Sequence, residues 1–436
     1  MTFDRTHTDD LMAYIAASPS QYHAVAEAAA RLEGAGFRRV EETAAWDAEP
    51  GGRYAVRDGS LIAWYLPPDA PAWRPFRIAA SHTDSPGFRV KPAPDTGGEG
   101  WRQVAVEVYG APIYASWTDR DLGLAGRLVL RDGTETLVTA GRPLLRIPLL
   151  AIHLDREVNQ SARFNPQTQL MPVWGLGRPE RGDLAEFLAA EASVPVGQVV
   201  GWDLMPYDVA APTYLGRDRE LVASSRLDNL SSVHAGVAAL IDAAQRAANA
   251  NADADAAAQP PIPVIAALDH EETGSISASG ASGPFVETVL SRLVEVRGGG
   301  VEARARAFAG SSVGSADLAH AVHPNYPEKH DPDHRPRING GPALKLNANQ
   351  HYATDGATRA VWLRACAAAG VPVQDFVSRN DVRCGTTIGP LTAARLGIPT
   401  FDVGIPSLGM HSIRELCGAD DPWRLAAGLA EFLSGA

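Results

Sequence analysis

Apolar residues open the chain at helical spacing: Leu11, Tyr14 and Ile15, then Val25, Ala29 and Leu32, interrupted at Ser18-Pro19-Ser20. This period predicts two short helices with the proline-containing break between them. Short β-like runs follow at 52–56, 60–66 and 77–80, the last two separated by the turn-forming PPDAPAWRP. An edge hairpin feeding a central strand is the expected arrangement. From Lys91 to about Gly216 the texture changes to alternating runs such as VAVEVYG and GRLVLRDGTETLV, with loops rich in Pro and Gly and almost no long helical period. After Leu221, apolar strand-like runs alternate with helical ones again. Among the latter is an alanine-rich stretch from His234 to Ala248, which runs into NANADADAAAQPP, expected as a solvated loop. The pattern reads as an α/β domain made of 1–90 and 221–436, interrupted by a mostly β domain over 91–220.

Length and composition agree with a folded, enzyme-sized chain. Its 436 residues suggest two domains, and 45% hydrophobic with 21% charged residues sits near the globular average. Asp and Glu total 51 against 39 Lys and Arg, a net charge of -12, which repels a phosphate backbone and argues against nucleic acid as partner. No basic region followed by an apolar run opens the sequence, and no stretch has the roughly 18 uninterrupted apolar residues of a membrane span, so a cytoplasmic location is expected. Cys366, Cys384 and Cys417 lack CxxC spacing, which indicates neither a disulfide framework nor a cysteine-zinc site.

Four separate apolar runs end in residues suited to metal ligation. RIAA leads into His82 and Asp84; VIAAL into Asp269, His270, Glu271 and Glu272; ARAFAGSSVGS into Asp317; and FDVGI, through IPSLGM, into His411. Asp228, in SSRLDN, precedes a helix start at Ser231-Ser232. Ligands of open α/β sheets collect at the carboxyl ends of strands, so these positions can converge although they lie far apart in sequence. Imidazole with carboxylate is a zinc-type ligand set that Co and Mn also accept, and there are enough ligands here for two ions. The adjacent Glu271 and Glu272 suggest a division of labour, one binding metal while the other takes a proton from water.

Beyond these spacings, HTDSPGFRVK, SSRLDN, DHEETGS, SADLAHAVHPNYPEKH, NDVRCGTTIGP and DVGIPSLGMHSIRE resemble the M18 metallopeptidases, the aspartyl aminopeptidases, from the first helices to the last. The resemblance implies a zinc-peptidase α/β/α sandwich with the inserted domain serving as lid and oligomerisation module. It implies that Asp228 bridges two zinc ions, His82 and Asp317 completing one site, Glu272 and His411 the other, with Glu271 as general base and then proton donor. Lys345, His320 and Tyr352 match positions that hold the acidic side chain of an N-terminal Asp or Glu. His153 matches a histidine that reaches a neighbouring subunit's active site. The implied assembly is a tetrahedral dodecamer of dimers acting on peptides. His270 and Thr273 depart from the commoner asparagine and valine flanks of the glutamate pair and leave the six core positions intact.

Other readings fit less of the sequence. Gly310-Ser311-Ser312-Val313-Gly314 matches the G-x-S-x-G nucleophile elbow, but a serine hydrolase built on Ser312 leaves His82 and the glutamate pair unexplained. A fold that has lost activity is argued against by the presence of both Glu271 and Asp228. A broad-specificity two-zinc aminopeptidase or dipeptidase of the same fold would differ mainly around Lys345. GTTIGP at 385–390 lacks the Gly-Lys-Ser/Thr of a phosphate loop and is expected to be a structural turn.

Overall fold

The computed structural model describes residues 5–249 and 260–436. At its centre is a nine-stranded mixed sheet, in which four neighbouring strands run parallel in the order Ile262–Leu268, Phe76–His82, Ser312–Ala316 and Thr400–Gly404. Both faces are covered. Along Ile262–Leu268, every residue of which is buried, Ile262, Val264, Ala266 and Leu268 enter one apolar cluster while Ile265 and Ala267 enter the other. Successive strand side chains point to opposite faces, so a strand roofed on both sides reads as a continuous apolar run rather than an alternating one.

Helices supply the two outer layers. On one face Thr6–Ala17, Gln21–Gly34, Leu227–Asn249, Gly356–Ala369 and Asp421–Ser434 contribute Leu11, Val25, Leu240, Trp362 and Leu429 to a single cluster. On the other, Phe285–Val296, Val301–Ala309 and Ile388–Leu396 contribute Phe285, Leu290, Ala307 and Ile388. The α/β/α sandwich expected from the sequence is the fold observed. The two N-terminal helices flank Ser18-Pro19-Ser20 as read, and Gly51–Arg57 pairs with Ser60–Leu66 as a hairpin. Phe76–His82 lies at the sheet's centre. The loop expected over NANADADAAAQPP lies, apart from its ends, outside the described residues.

Over residues 87–208 the chain makes two further, three-stranded antiparallel sheets. One joins Val199–Asp208, Leu122–Leu130 and Glu135–Leu145; the other joins Gly87–Gly98, Trp101–Tyr109 and Val173–Leu176. They enclose their own cluster, including Phe88, Val106, Leu124, Leu128 and Leu204. The strand Thr213–Leu215 instead pairs with Leu221–Ser224 in a five-stranded sheet that also holds Pro406–Leu408 and Glu415–Gly418. No described helix is long and apolar enough to cross a membrane.

Candidate metal centre

Three of the four parallel strands deliver a ligand-type residue directly at or just beyond their carboxyl ends. His82 closes Phe76–His82, Glu271 and Glu272 follow Ile262–Leu268 in a single 3-10 turn, and Asp317 follows Ser312–Ala316. His411 arrives from the loop beyond Pro406–Leu408. Asp228 lies in the mouth of Leu227–Asn249, where Asp228 (φ -79°, ψ 106°) and Asn229 (φ -123°, ψ 26°) are not helical and the regular turns begin only afterwards.

Asp228 stands between two histidines. Its Oδ1 is 3.1 Å from His82 Nε2, and its Oδ2 is 3.7 Å from His411 Nε2. Asp317 Oδ1 lies 3.5 Å from His82 Nε2, and Glu272 Oε2 lies 3.5 Å from His411 Nε2. The ligand atoms therefore form two groups, His82 with Asp228 and Asp317, and Asp228 with Glu272 and His411, each spanning no more than 4.8 Å. A third group within the same limit joins His82 with Glu271 and Glu272.

These residues fit a pair of cations. Asp228 is 3% exposed, and its Oδ1 has no hydrogen-bond donor in suitable geometry although an imidazole nitrogen is adjacent. A buried carboxylate oxygen left in that state is costly unless a cation completes it. Each histidine also turns its Nδ1 to a backbone carbonyl, His82 to Asp84 at 3.0 Å and His411 to Ala111 at 3.1 Å. Donation from Nδ1 leaves the Nε2 lone pair facing the cluster, the tautomer that metal ligation requires.

Electrostatics agree. Burial pushes the Glu271 carboxyl up to about 8, with Asp317 and Asp228 adding and His82 opposing. Glu272 is raised well above the ordinary carboxylate range by burial and by Asp228. Burial alone would disfavour a His82 cation, but Asp228, Asp317 and Asp84 outweigh it and raise its pKa well above the usual histidine value. So many carboxylates in a dry space favour bound protons, and cations placed among them would reverse those shifts.

A second layer holds the ligands by their main chain. Asp84, 1% exposed, accepts the amides of Glu271 and Glu272, each at 3.1 Å, and the Tyr109 hydroxyl at 2.9 Å. The Asp228 carbonyl accepts Ser85 Oγ at 2.7 Å, while Asn229 Nδ2 donates to Ala316 O at 2.8 Å, just before Asp317. Tyr109 and Ala111 come from the end of Trp101–Tyr109 and the turn after it. Gly110 between them has φ +68°, and a Cβ there would sit 3.0 Å from Glu272 Cβ, so the close approach needs glycine. Sequence reasoning picked out Asp84 by its place after the strand but gave no part to Tyr109, Ala111 or Glu415. Glu415 was visible only as one letter of the HSIRE motif, and Tyr109 closes an alternating strand with no polar periodicity to flag its hydroxyl.

Lys345 is 1% exposed, and its Nζ donates to Asp317 Oδ2 at 3.2 Å and to Leu318 O at 3.0 Å. Together with His82, it holds the Asp317 carboxyl well below the ordinary range despite burial. The same ammonium stands 5.2 Å from the centre of the Tyr352 ring. Tyr352 and His320 both pack edge-on against Phe376, at 6.2 and 5.7 Å between ring centres. The structure thus brings Lys345, His320 and Tyr352 into one neighbourhood beside Asp317. It does not bring His153 there: that residue is exposed on a turn, outside all three ligand groups.

The departures have plain places. His270 (φ 65°) bonds Ser277 Oγ through Nδ1 at 3.0 Å, and Thr273 is exposed. Ser312 opens its strand opposite Arg77, at the end of the sheet away from His82, rather than standing on a strand-to-helix elbow, which removes the serine-nucleophile reading. GTTIGP is a structural turn: Thr387 caps Ile388–Leu396 and donates to the buried Asp402 at 2.6 Å.

Comparison with known proteins identifies relatives over the whole of this architecture. The family model for the aminopeptidase I zinc metalloproteases (M18) matches residues 14–432. A protein of Streptomyces coelicolor described as a probable M18 family aminopeptidase 2 is 60% identical over 433 residues, covering 99% of this chain and 98% of its own. One of Mycobacterium tuberculosis, with the same description, is 44% identical over 431 residues, covering 97% of each. Among solved structures, a chain in the cryo-EM structure of the Ape4 and Nbr1 complex superposes with a TM-score of 0.92 at 35% identity, covering 100% of this chain and 88% of that one. The mApe1 dodecamer of S. cerevisiae gives 0.85 at 27% identity, covering 99% and 97%.

Proposed function

This chain belongs to the M18 family of zinc aminopeptidases, and we propose that it removes an N-terminal Asp or Glu from peptides at a two-metal centre bridged by Asp228. The observation that carries the reading is the position of Asp228, whose two carboxylate oxygens face two histidines that each have a further carboxylate of their own. His82 and Asp317 would hold one ion, Glu272 and His411 the other. Two zinc ions so bound, or Co or Mn in their place, would supply Lewis acidity to the scissile carbonyl and acidify the attacking water.

The chain's own groups do the rest. Glu271, beside the cluster and not needed by either bridged group, takes the water proton on its carboxylate as the water attacks the carbonyl carbon, then returns it to the nitrogen of the leaving amine as the peptide C–N bond breaks. Asp84 holds it in place through its amide.

Acidic preference is assigned to Lys345. An ammonium has three donors, and Asp317 and Leu318 take two, so one remains for a substrate carboxylate on the side lined by Tyr352 and His320. The stretch 91–220 is assigned as the inserted domain, on the support of its separate sheets and apolar cluster, with 1–90 and 221–436 as the catalytic domain. His153, exposed with Leu149, Leu150, Ile152 and Leu154 around it, is assigned to a neighbouring subunit's site in a homo-oligomer, a dodecamer by resemblance. A cytoplasmic location and peptide substrates complete the proposal.

The experiment is hydrolysis of Asp-, Glu-, Ala- and Leu-arylamides by zinc-reconstituted protein, with and without chelator, alongside Lys345→Ala. Chelator-sensitive turnover that favours Asp and Glu, and loses that preference in the variant, is expected. Chelator-sensitive turnover without acidic preference would favour the broad-specificity aminopeptidase instead.

A further inference from the structure

Glu415 lies outside both candidate ligand groups that share Asp228, yet it bonds two of the three chain segments that form one of them. It is 2% exposed, and its strand, Glu415–Gly418, runs antiparallel to Leu221–Ser224 with Ser224 opposite Glu415, which sets the side chain against the 227–228 turn. Oε2 accepts the amide of Asp228 at 2.9 Å, and Oε1 accepts the amide of His411 at 2.9 Å. Both amides belong to irregular backbone: Asp228 sits in the non-helical mouth of its helix, and His411 has φ 67°. Neither position is fixed by a regular helical or sheet ladder.

We infer that Glu415 is a positioning residue for the metal position formed by Asp228, Glu272 and His411. An ion site is defined by the separation of its ligand atoms, and here Asp228 Oδ2 and His411 Nε2 must be held 3.7 Å apart by segments from distant parts of the chain. One carboxylate bonded to both main chains sets that separation and leaves every ligand lone pair available. Glu272 is held independently, through Asp84. Loss of the clamp therefore frees Asp228 and His411 relative to one another. His82 and Asp317, fixed by the central sheet, keep their places. The inference rests on the two-metal reading.

The test is titration of the metal-free, full-length chain with Zn²⁺ alone, following ions bound per chain by calorimetry and metal analysis. Wild type takes up two ions. Glu415→Gln keeps the size of the side chain and one acceptor but sets an NH₂ donor against the other amide. It is expected to bind the second ion on the order of 10- to 100-fold more weakly, with the first less affected because the Asp228 main chain keeps its bond from Ser85, and with the metal-free chain still folded by circular dichroism. Arg414→Gln, which removes bonds to Ala210 O and Ala211 O from the same segment, should retain both ions at wild-type affinity. A folded Glu415→Gln chain that binds the second ion as tightly as wild type overturns the inference, as does an equal loss in Arg414→Gln. If Glu415→Gln does not fold by circular dichroism, Glu415→Asp, with both acceptors on a shorter arm, is read in the same way. A wild-type chain that takes up a single ion defeats the two-metal reading itself, and this inference with it.

Discussion

Glu271 and Glu272 are neighbours in sequence with different surroundings. Glu272 Oε2 faces His411 Nε2, while Glu271 is left over from the two groups that share Asp228. Glu271→Gln removes the proton acceptor and preserves shape, so kcat should fall by on the order of 10²- to 10⁴-fold while metal content stays at the wild-type level. Near-normal kcat in a metal-loaded variant would place the base elsewhere. At this scale His82, Glu271, Glu272, Asp317 and His411 are legible because each comes after an apolar run, and Asp228 because SSRLDN leads into a helix start. Lys345 was less legible. In isolation it reads as a surface lysine, yet it is buried on Asp317, and only three-dimensional pairing could show its ammonium bonded to that carboxylate. Glu415 and Tyr109 escaped notice for a related reason: they act through backbone amides and another carboxylate, contacts that leave no spacing in the sequence.

Among elements, the helix Leu227–Asn249 ties the site to the core. Its non-helical mouth carries Asp228, and its body is packed against Asp421–Ser434, where Leu429 and Leu433 are fully buried. Leu429→Ala should leave a cavity and lower the unfolding free energy by about 2–5 kcal/mol, measured as a shift of the urea midpoint at unchanged slope. A shift within error would mean that the helix pair collapses onto the gap without loss. The helix is legible in its alanine-rich body, and the start expected at Ser231-Ser232 agrees with regular turns that begin only after Asp228 and Asn229. Propensity describes the regular turns; the mouth is shaped by a bond donated from Ser85 and by bonds it donates to Glu415 and Ala316, all from elsewhere in the chain. The alternating runs after Lys91 point to a mostly β stretch, but not that Tyr109 and Ala111 would reach the loops of Asp84 and His411.

For the whole molecule, the loop around His153 gathers several exposed apolar side chains. Leu154 is 74% and Leu150 57% exposed, within a few residues of each other. A grouping of this kind on a folded chain usually meets a partner. Leu154→Asp is expected to reduce the assembled mass in analytical ultracentrifugation, and His153→Ala to lower kcat in an assembly that keeps wild-type mass and metal. Unchanged mass in Leu154→Asp would remove this loop from the contact. Subunit number could not be read from residue spacing, because symmetry is a property of surfaces that meet only after folding.

The central sheet interleaves early and late parts of the chain, since Ile262–Leu268 lies between Ser60–Leu66 and Phe76–His82, and His411 follows later still. During synthesis the chain emerges N-terminus first, so the earliest ligand, His82, is made long before the strands that flank it. No partial product short of His411 can contain the complete centre. On the proposed reading, the first competent state would therefore arise only once late-made strands insert beside early ones.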